Sequence, residues 1–387
     1  MRKQLLLLAG LLGVVTLAAG TAAMATDQPQ ARQLLPAVSG KAYVANEATG
    51  SVSVIDTATD RVVATICLGS DPAIAGTPQP NGPCNAEAQH HAPFYNGHLD
   101  THGLWLTPQA DVLLVANRIS GTIVAVDTTT NAVLGYLPVG REPHLATVRP
   151  GGQEAWAAIR GEDYVEVVKL DRDDLHNTGL HRTERLESVA KLGTVLGPSM
   201  VSFTADGRSA FVAAGKQERV DKFDADSRQL VASKPVVAKF TPFGLVSPDD
   251  AELWLVHKGA GSISVLATND LSGVIEGQAV GARPNHVAFV GPFAYVTVGG
   301  PVGGEGKIVI IDRATKEVVN ELTGPTWTGE PHGIWPTANG KLYVGHEAGN
   351  RVTVLDVNDP SNALDDVVVT TITDSFLKKP IDIVVAP

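Results

Sequence analysis

Cysteine is almost absent from this sequence of 387 residues, which contains only Cys67 and Cys84. Their separation is far from the C-x-x-C spacing of thiolate metal sites, and the absence of C-x-x-C-H excludes covalently attached c-type haem. The sequence also has no G-x-S-x-G elbow, no H-E-x-x-H pair and no phosphate-binding loop. It therefore lacks the common signatures of serine hydrolases, zinc peptidases and P-loop nucleotidases.

Basic residues are in the minority. The chain has 41 Asp and Glu residues against 30 Lys and Arg residues, for a formal net charge of −11. An acidic surface repels phosphate backbones and anionic lipid headgroups, and we find no basic stripe interleaved with aromatic residues. We therefore expect no nucleic-acid partner and no attachment to a membrane surface.

Only one long apolar run occurs, and it lies at the N-terminus. Arg2 and Lys3 precede the uncharged segment Leu5–Ala19, and Ala23-Met24-Ala25 supplies the small-x-small pattern that signal peptidases recognise. The run is short for a membrane span. We therefore interpret residues 1–25 as a Sec signal peptide cleaved after Ala25, followed by a lead-in over residues 26–40. This predicts a periplasmic or secreted protein with no membrane span after cleavage.

The rest of the chain repeats one phrase, in which an apolar strand that opens on Pro or Thr is followed by two more strands, the last ending in Asp. The opening strands start at Thr101, Pro143, Pro198, Pro242, Pro284, Pro331 and Pro380. Runs rich in β-branched and aromatic residues, split by glycine-rich turns at this period, are typical of β-propeller blades. Helical periodicity is absent after residue 25.

The two chain ends complete each other. The copy that begins at Lys41 has no opening strand, and the copy that begins at Pro380 has only an opening strand. Joining them closes the ring and removes the free sheet edges of an open array. The sequence therefore predicts an all-β, seven-bladed β-propeller as a single domain over residues 41–387. An insertion over residues 70–100 separates blades 1 and 2.

Several second strands share a motif: Tyr43-Val-Ala-Asn46, Leu114-Val-Ala-Asn117 and Tyr343-Val-Gly-His346 each precede a V-x-V-x-D-like strand. These strands resemble the YVTN-type repeats of bacterial β-propellers. The resemblance covers nearly the whole chain after the signal peptide and implies the propeller fold. Similar propellers occur in surface-layer proteins, seven-bladed lactonases and the haem-binding domain of cytochrome nitrite reductases, so the resemblance leaves the function open.

Three histidines occupy the same place in the repeat, directly after the residue that opens the first strand: His102, His144 and His332. Each completes an acidic-x-His triplet whose acidic residues are Asp100, Glu142 and Glu330, whereas the other four copies lack the triplet. Because first strands line the channel and start at one face, we expect these three imidazoles at the same mouth of the channel, with the three carboxylates around them. His286 is one residue out of phase, so strand alternation favours an orientation into the blade.

Further histidines are expected at this face. His346 ends a second strand and is predicted to lie roughly opposite His332. The insertion carries His90 and His91 and includes Cys84, which in an oxidising compartment is expected to form a disulfide with Cys67.

Clustered imidazoles and carboxylates suit a transition metal, with copper favoured, or a non-covalent haem-type tetrapyrrole with one axial histidine. The candidate cofactor ligands are His102, His144, His332 and His346, and a metal could also recruit His90 and His91. The function predicted is a redox or cofactor-handling role; an enzyme of this kind would be a metal- or haem-dependent oxidoreductase, and a lactonase-type hydrolase is less favoured. Two alternatives stay open: the triplets form local hydrogen bonds only, or the protein is a non-catalytic platform that binds a protein or polymer. The partners expected are a small ligand at the mouth and a periplasmic protein.

Overall fold

The structure is a computed structural model that describes residues 40–68, 100–177, 179–180, 185–236 and 239–386. The predicted signal peptide, nearly all of the lead-in and nearly all of the insertion lie outside these residues. Cleavage after Ala25 and a periplasmic or secreted location therefore stay predictions.

The described chain forms 28 strands in seven four-stranded antiparallel sheets, which are the blades of a ring. Blade 1 comprises β1 (Lys41–Asn46), β2 (Ser51–Asp56), β3 (Arg61–Cys67) and β28 (Pro380–Val385), and blade 2 comprises β4 (Thr101–Leu106), β5 (Val112–Asn117), β6 (Thr122–Asp127) and β7 (Val133–Pro138). Blade 3 comprises β8 (Pro143–Val148), β9 (Glu154–Ile159), β10 (Tyr164–Lys169) and β11 (Glu187–Gly193), and blade 4 comprises β12 (Pro198–Phe203), β13 (Ser209–Ala214), β14 (Arg219–Asp224) and β15 (Gln229–Pro235). Blade 5 comprises β16 (Phe243–Val246), β17 (Glu252–His257), β18 (Ser262–Ala267) and β19 (Gly273–Ala279), blade 6 comprises β20 (Pro284–Val290), β21 (Phe293–Val298), β22 (Lys307–Asp312) and β23 (Val318–Leu322), and blade 7 comprises β24 (Pro331–Pro336), β25 (Lys341–His346), β26 (Arg351–Asp356) and β27 (Val367–Thr373). The predicted seven-bladed propeller is confirmed.

The ring closes as the two chain ends predict. The last strand, β28, pairs antiparallel with β1, with Tyr43 opposite Val384 and Val44 opposite Ile383. Blade 1 therefore takes its inner strand from the C-terminus and its other three strands from the start of the ring. This pairing covers the inner edge of β1, which would otherwise be open beside the channel.

Burial falls from the inner strands to the outer ones. The second strand of blade 2 is buried along its whole length, and so is the closing strand β28. Outer strands such as β27 carry several exposed valines. Alternating β-branched side chains of adjacent blades pack face to face, so the core runs between blades around the ring.

The Asp that ends many third strands has a local structural role. In blades 1, 2 and 6, one carboxylate oxygen of Asp56, Asp127 or Asp312 accepts the backbone N–H groups two and three residues later. This side chain closes the turn into the fourth strand, which explains why the repeat contains Asp there.

Helical structure is minor. The described residues include α1 (Arg172–His176) and a 3-10 helix over Pro325–Trp327. No helix in the described part of the chain has the length and apolar character needed to cross a membrane.

Candidate functional site

The inner strands start with an irregularity that shapes the channel mouth. In six blades the register between the first and second strands shifts by one residue at this point, as between Thr101 and Leu104 or between Pro284 and Val287. A bulge of this kind places two residues opposite one and breaks the alternation of side chains. The second and third residues of an inner strand can therefore both reach the channel.

Four imidazoles meet at this mouth, and we call them the histidine cluster: His102, His144, His286 and His332. Ring centres are 4.2 Å apart for His102 and His144, 6.3 Å for His102 and His332, and 4.9 Å for His286 and His332. All four side chains are buried. The structure thus brings together the three histidines of the triplets and adds a fourth.

The expectation that His286 turns into its blade is wrong. Its ring packs against His332 and stacks on Phe243, with the centres of His286 and Phe243 4.1 Å apart. The physical reason is the bulge of blade 6, because the extra residue between Pro284 and Val287 cancels the expected alternation.

Sequence reasoning missed Asp382, the third residue of the closing strand. It is buried, and its Oδ2 accepts the backbone N–H of Leu104 at 2.9 Å. Its Oδ1 lies 3.7 Å from Nδ1 of His286. Burial raises the pKa of Asp382 to about 7, against the opposing effect of the Leu104 hydrogen bond. Its position matches that of His286 in the repeat, so comparing third residues, as well as second ones, would have found both.

Contacts behind the rings orient two members of the cluster, His144 and His286. Nδ1 of His144 is 2.7 Å from the carbonyl oxygen of Ser199, so this nitrogen carries the proton and donates. Nδ1 of His286 is the nitrogen closest to Asp382. The carbonyl of Ile381 lies near His332 and favours its protonated ring, but Nδ1 of His332 is buried and makes no hydrogen bond of good geometry with any described residue.

The cluster is electrically neutral near pH 7. Burial, followed by the charge of Arg118, holds the pKa of His102 well below its usual range. Burial lowers the pKa of His144 and His332 in the same way, and it lowers the pKa of His286 to about 3. Neutral imidazoles keep a free nitrogen lone pair, which is the form that binds metals.

The three acidic residues of the triplets do not surround the imidazoles. Asp100, Glu142 and Glu330 have left-handed backbones with φ of 55°, 52° and 61°, as does the equivalent residue of every other blade. Their carboxylates pair with cations at the rim. Asp100 binds Arg118 at 2.9 Å, and Glu330 binds Lys258 at 3.0 Å. The acidic position of each triplet therefore adopts a left-handed backbone, and its carboxylate forms ion pairs at the rim of the channel.

His346 lies outside the cluster. The register places it opposite Pro331, one residue away from the predicted His332. Nδ1 is 2.9 Å from the carbonyl of Thr328, and Nε2 is 2.9 Å from the hydroxyl of Thr353, so both nitrogens are occupied. His257 at the same place in blade 5 is held by Thr241 and Ser264, both at 2.8 Å. These two histidines therefore form hydrogen bonds within their own blades.

The predicted lid residues lie outside the described residues. These are His90, His91 and Cys84, so their part in the site and the Cys67–Cys84 disulfide stay predictions.

The cluster opens into a cavity of about 180 Å³, whose rim carries Arg118, Arg160, Lys258, Glu47 and Glu347. A cavity of ~150 Å³ encloses one benzene ring, so this space is of small-ligand size, and a haem-type cofactor at the mouth stays a prediction. Within the described ranges, no three His, Cys, Asp or Glu side chains already converge as ligands of one ion. A metal would therefore have to draw the rings inward.

Comparisons with known proteins support the fold. No protein-family model matches the chain, and no curated protein matches it. Among solved structures, a functionally unknown protein from Desulfotomaculum acetoxidans is similar with a TM-score of 0.65 and 11% identity over 90% of this chain and 99% of that one. Hydrazine synthase of Kuenenia stuttgartiensis has a TM-score of 0.61 and 18% identity over 73% of this chain and 89% of that one. The Cps50 (Swd1) β-propeller domain of Myceliophteria thermophila has 0.57 and 14% over 84% and 99%. These TM-scores support a shared β-propeller fold, and the YVTN-type resemblance stays a prediction.

Proposed function

We propose that this propeller binds one transition-metal ion at the histidine cluster, with copper favoured, and that it serves a redox or metal-handling role in the periplasm. The observation that carries the proposal is the meeting of four buried, neutral imidazoles from blades 2, 3, 6 and 7. Imidazole is a preferred ligand of copper and zinc, and copper(II) is the tightest-binding divalent ion of the first transition row.

The ring spacings support one ion. Two imidazoles that bind the same ion at about 2.0–2.1 Å per nitrogen place their ring centres about 5 Å apart in a tetrahedral site. The measured spacings of 4.2, 4.9 and 6.3 Å lie within about 1.5 Å of that value. Binding of one ion would require these side chains to turn their nitrogens toward a common point.

The contacts behind the rings also support a metal. Histidine ligands commonly direct their second nitrogen at a carbonyl or a carboxylate, which fixes the tautomer and leaves the other nitrogen for the ion. His144 does this with Ser199, and His286 turns Nδ1 toward Asp382. In both rings Nε2 is the nitrogen left for a ligand.

The cations at the rim are partly neutralised, which lowers the electrostatic cost of binding a metal cation. Asp100 and Glu47 pair with Arg118, and Glu330 pairs with Lys258. Buried Asp382 adds a titratable carboxyl next to the cluster.

The test is metal analysis of the purified full-length protein, followed by titration with copper against a chelator of known affinity. We expect one copper per chain. His144→Ala and His286→Ala should each weaken binding by more than about 100-fold, since ligands matter at least as much as the groups that orient them. A protein that takes up no copper or zinc would refute the proposal and favour the non-catalytic platform.

The matched control is His346→Asn, because Asn46 and Asn117 occupy the same place in blades 1 and 2. We expect this variant to keep its copper. If His346→Asn loses the metal and His286→Ala keeps it, the ligand set is wrong. Thermal unfolding of each variant in the absence of metal shows whether the fold is intact.

A further inference from the structure

A second cavity of about 480 Å³ lies beside the first, at the mouth of blades 2 to 4. Its volume is within the range of small-molecule sites. Arg118 and Arg160 line both cavities, so the two spaces are neighbours. The remaining charged residues of its lining are Asp100, Arg141, Glu142 and Lys216.

The charges of this second cavity do not balance. Arg118 is held by Asp100 in a bidentate pair at 2.9 and 3.0 Å. Arg141 is likewise held by Glu162, at 2.7 and 3.2 Å. This accounts for two of the four cations of the lining.

The other two cations share one carboxylate. Glu142 is half exposed and lies 3.5 Å from Nζ of Lys216 and 3.9 Å from Nε of Arg160. Both distances exceed those of a good charge-assisted hydrogen bond. One positive charge is therefore left without a close anionic partner among the described residues.

Arg160 is the cation that lacks a partner most clearly. Its Nε is buried and makes no hydrogen bond within the part of the chain that the structure describes, and its guanidinium lies 5.3 Å from the centre of the Phe240 ring. Burial and the nearby charge of Arg118 lower the pKa of Arg160. A buried donor without an acceptor is costly, and a planar guanidinium is suited to a two-oxygen acceptor.

We propose that this second cavity binds a small organic anion through Arg160 and Lys216, with a carboxylate or phosphate group as the recognised chemistry. Because Arg160 also lines the first cavity, the rest of such a ligand would face the histidine cluster. The anion site itself does not depend on a metal being bound there.

The experiment is calorimetric titration of the full-length protein at low ionic strength with inorganic phosphate in one arm and succinate in the other. We expect saturable binding in at least one arm, and the stronger arm identifies the recognised group. Arg160→Gln should weaken that binding by about 10- to 100-fold, the loss of a charged hydrogen bond. Arg160→Lys should retain part of it, because the charge stays and the fork is lost.

Arg313→Gln is the matched control. Arg313 also lies 5.3 Å from a phenylalanine ring, that of Phe289, and also has an unpartnered Nε, but its guanidinium binds Asp249 at 2.8 Å. This substitution should leave anion binding unchanged. Absence of binding in both arms, or equal binding by the wild-type protein and Arg160→Gln, would overturn the proposal. Copper titration of the same samples separates the two sites, since a protein that binds the anion but takes up no copper or zinc would refute only the metal proposal.

Discussion

Replacing His257 with Asn should make the protein less sensitive to acid. His257 ends the second strand of blade 5 and is fully buried, with its two nitrogens held by Thr241 and Ser264. Asn46 and Asn117 fill the same place in blades 1 and 2. Asn46 binds Ser53 at 2.8 Å, and Asn117 binds Thr101 at 2.8 Å. The repeat itself therefore shows that Asn fits this position.

The direction of the effect follows from the pKa. Burial lowers the pKa of His257 from 6.5 to about 4. Below pH 6.5 the unfolded chain binds a proton that the folded protein does not, so stability is fully present above pH 6.5 and is lost as the pH falls toward 4. The loss due to this residue reaches about 3 kcal/mol at pH 4.

The assay is urea unfolding at pH 7 and at intervals down to pH 4, for the wild-type protein and for His257→Asn. Other histidines contribute equally to both proteins, so the difference between the two pH profiles isolates His257. Between pH 7 and pH 4 we expect the free energy of unfolding of the wild-type protein to fall by about 3 kcal/mol more than that of His257→Asn, whatever the offset between them at pH 7. Parallel profiles would show that His257 does not titrate as its burial requires.

Three further predictions concern the channel. Gly333→Ala would place a methyl group 2.7 Å from Cα of Asp382, so the free energy of unfolding of this variant in urea should be about 1–3 kcal/mol lower than that of the wild-type protein. Gly193 has open space around it, so Gly193→Ala should leave stability unchanged, and equal effects of the two substitutions would refute crowding at Gly333. Asp382→Asn keeps the size of the side chain but removes the carboxylate beside His286, so copper affinity should fall about 10- to 100-fold in a competition titration. An unchanged affinity would exclude a role of Asp382 in orienting His286. Deleting residues 380–387 removes β28 and exposes the edge of β1, so size-exclusion chromatography should show association or aggregation. A stable monomer would contradict closure of the ring by β28.

The fold could be predicted from one sequence because its seven repeats can be compared with one another. Each blade has the same alternation and the same turn residues, and the incomplete copies at the two ends can pair in only one way. β28 does pair with β1, and the Asp that ends several third strands caps the turn after it. These features depend on local spacing, which the sequence contains in full.

The site could be predicted only in part, because it depends on bulges. Three cluster histidines share a position in the repeat, which the sequence shows directly, but one extra residue in the inner strands of blades 1 and 6 brings Asp382 and His286 into the channel as well. In blade 5 the residue that opens the strand is Thr241 rather than Pro242, so Phe243 corresponds to His286 and stacks on it. A one-residue shift likewise places His346 opposite Pro331. Such shifts leave no trace in the hydrophobic pattern.

The measurement that tests the central claim most directly is a crystal structure of the copper-loaded protein, with anomalous scattering recorded at the copper edge. We predict one strong peak within bonding distance of imidazole nitrogens of His102, His144, His286 and His332. A peak elsewhere on the protein, or no peak among these four rings at full copper loading, would contradict the assignment of the histidine cluster as a metal site.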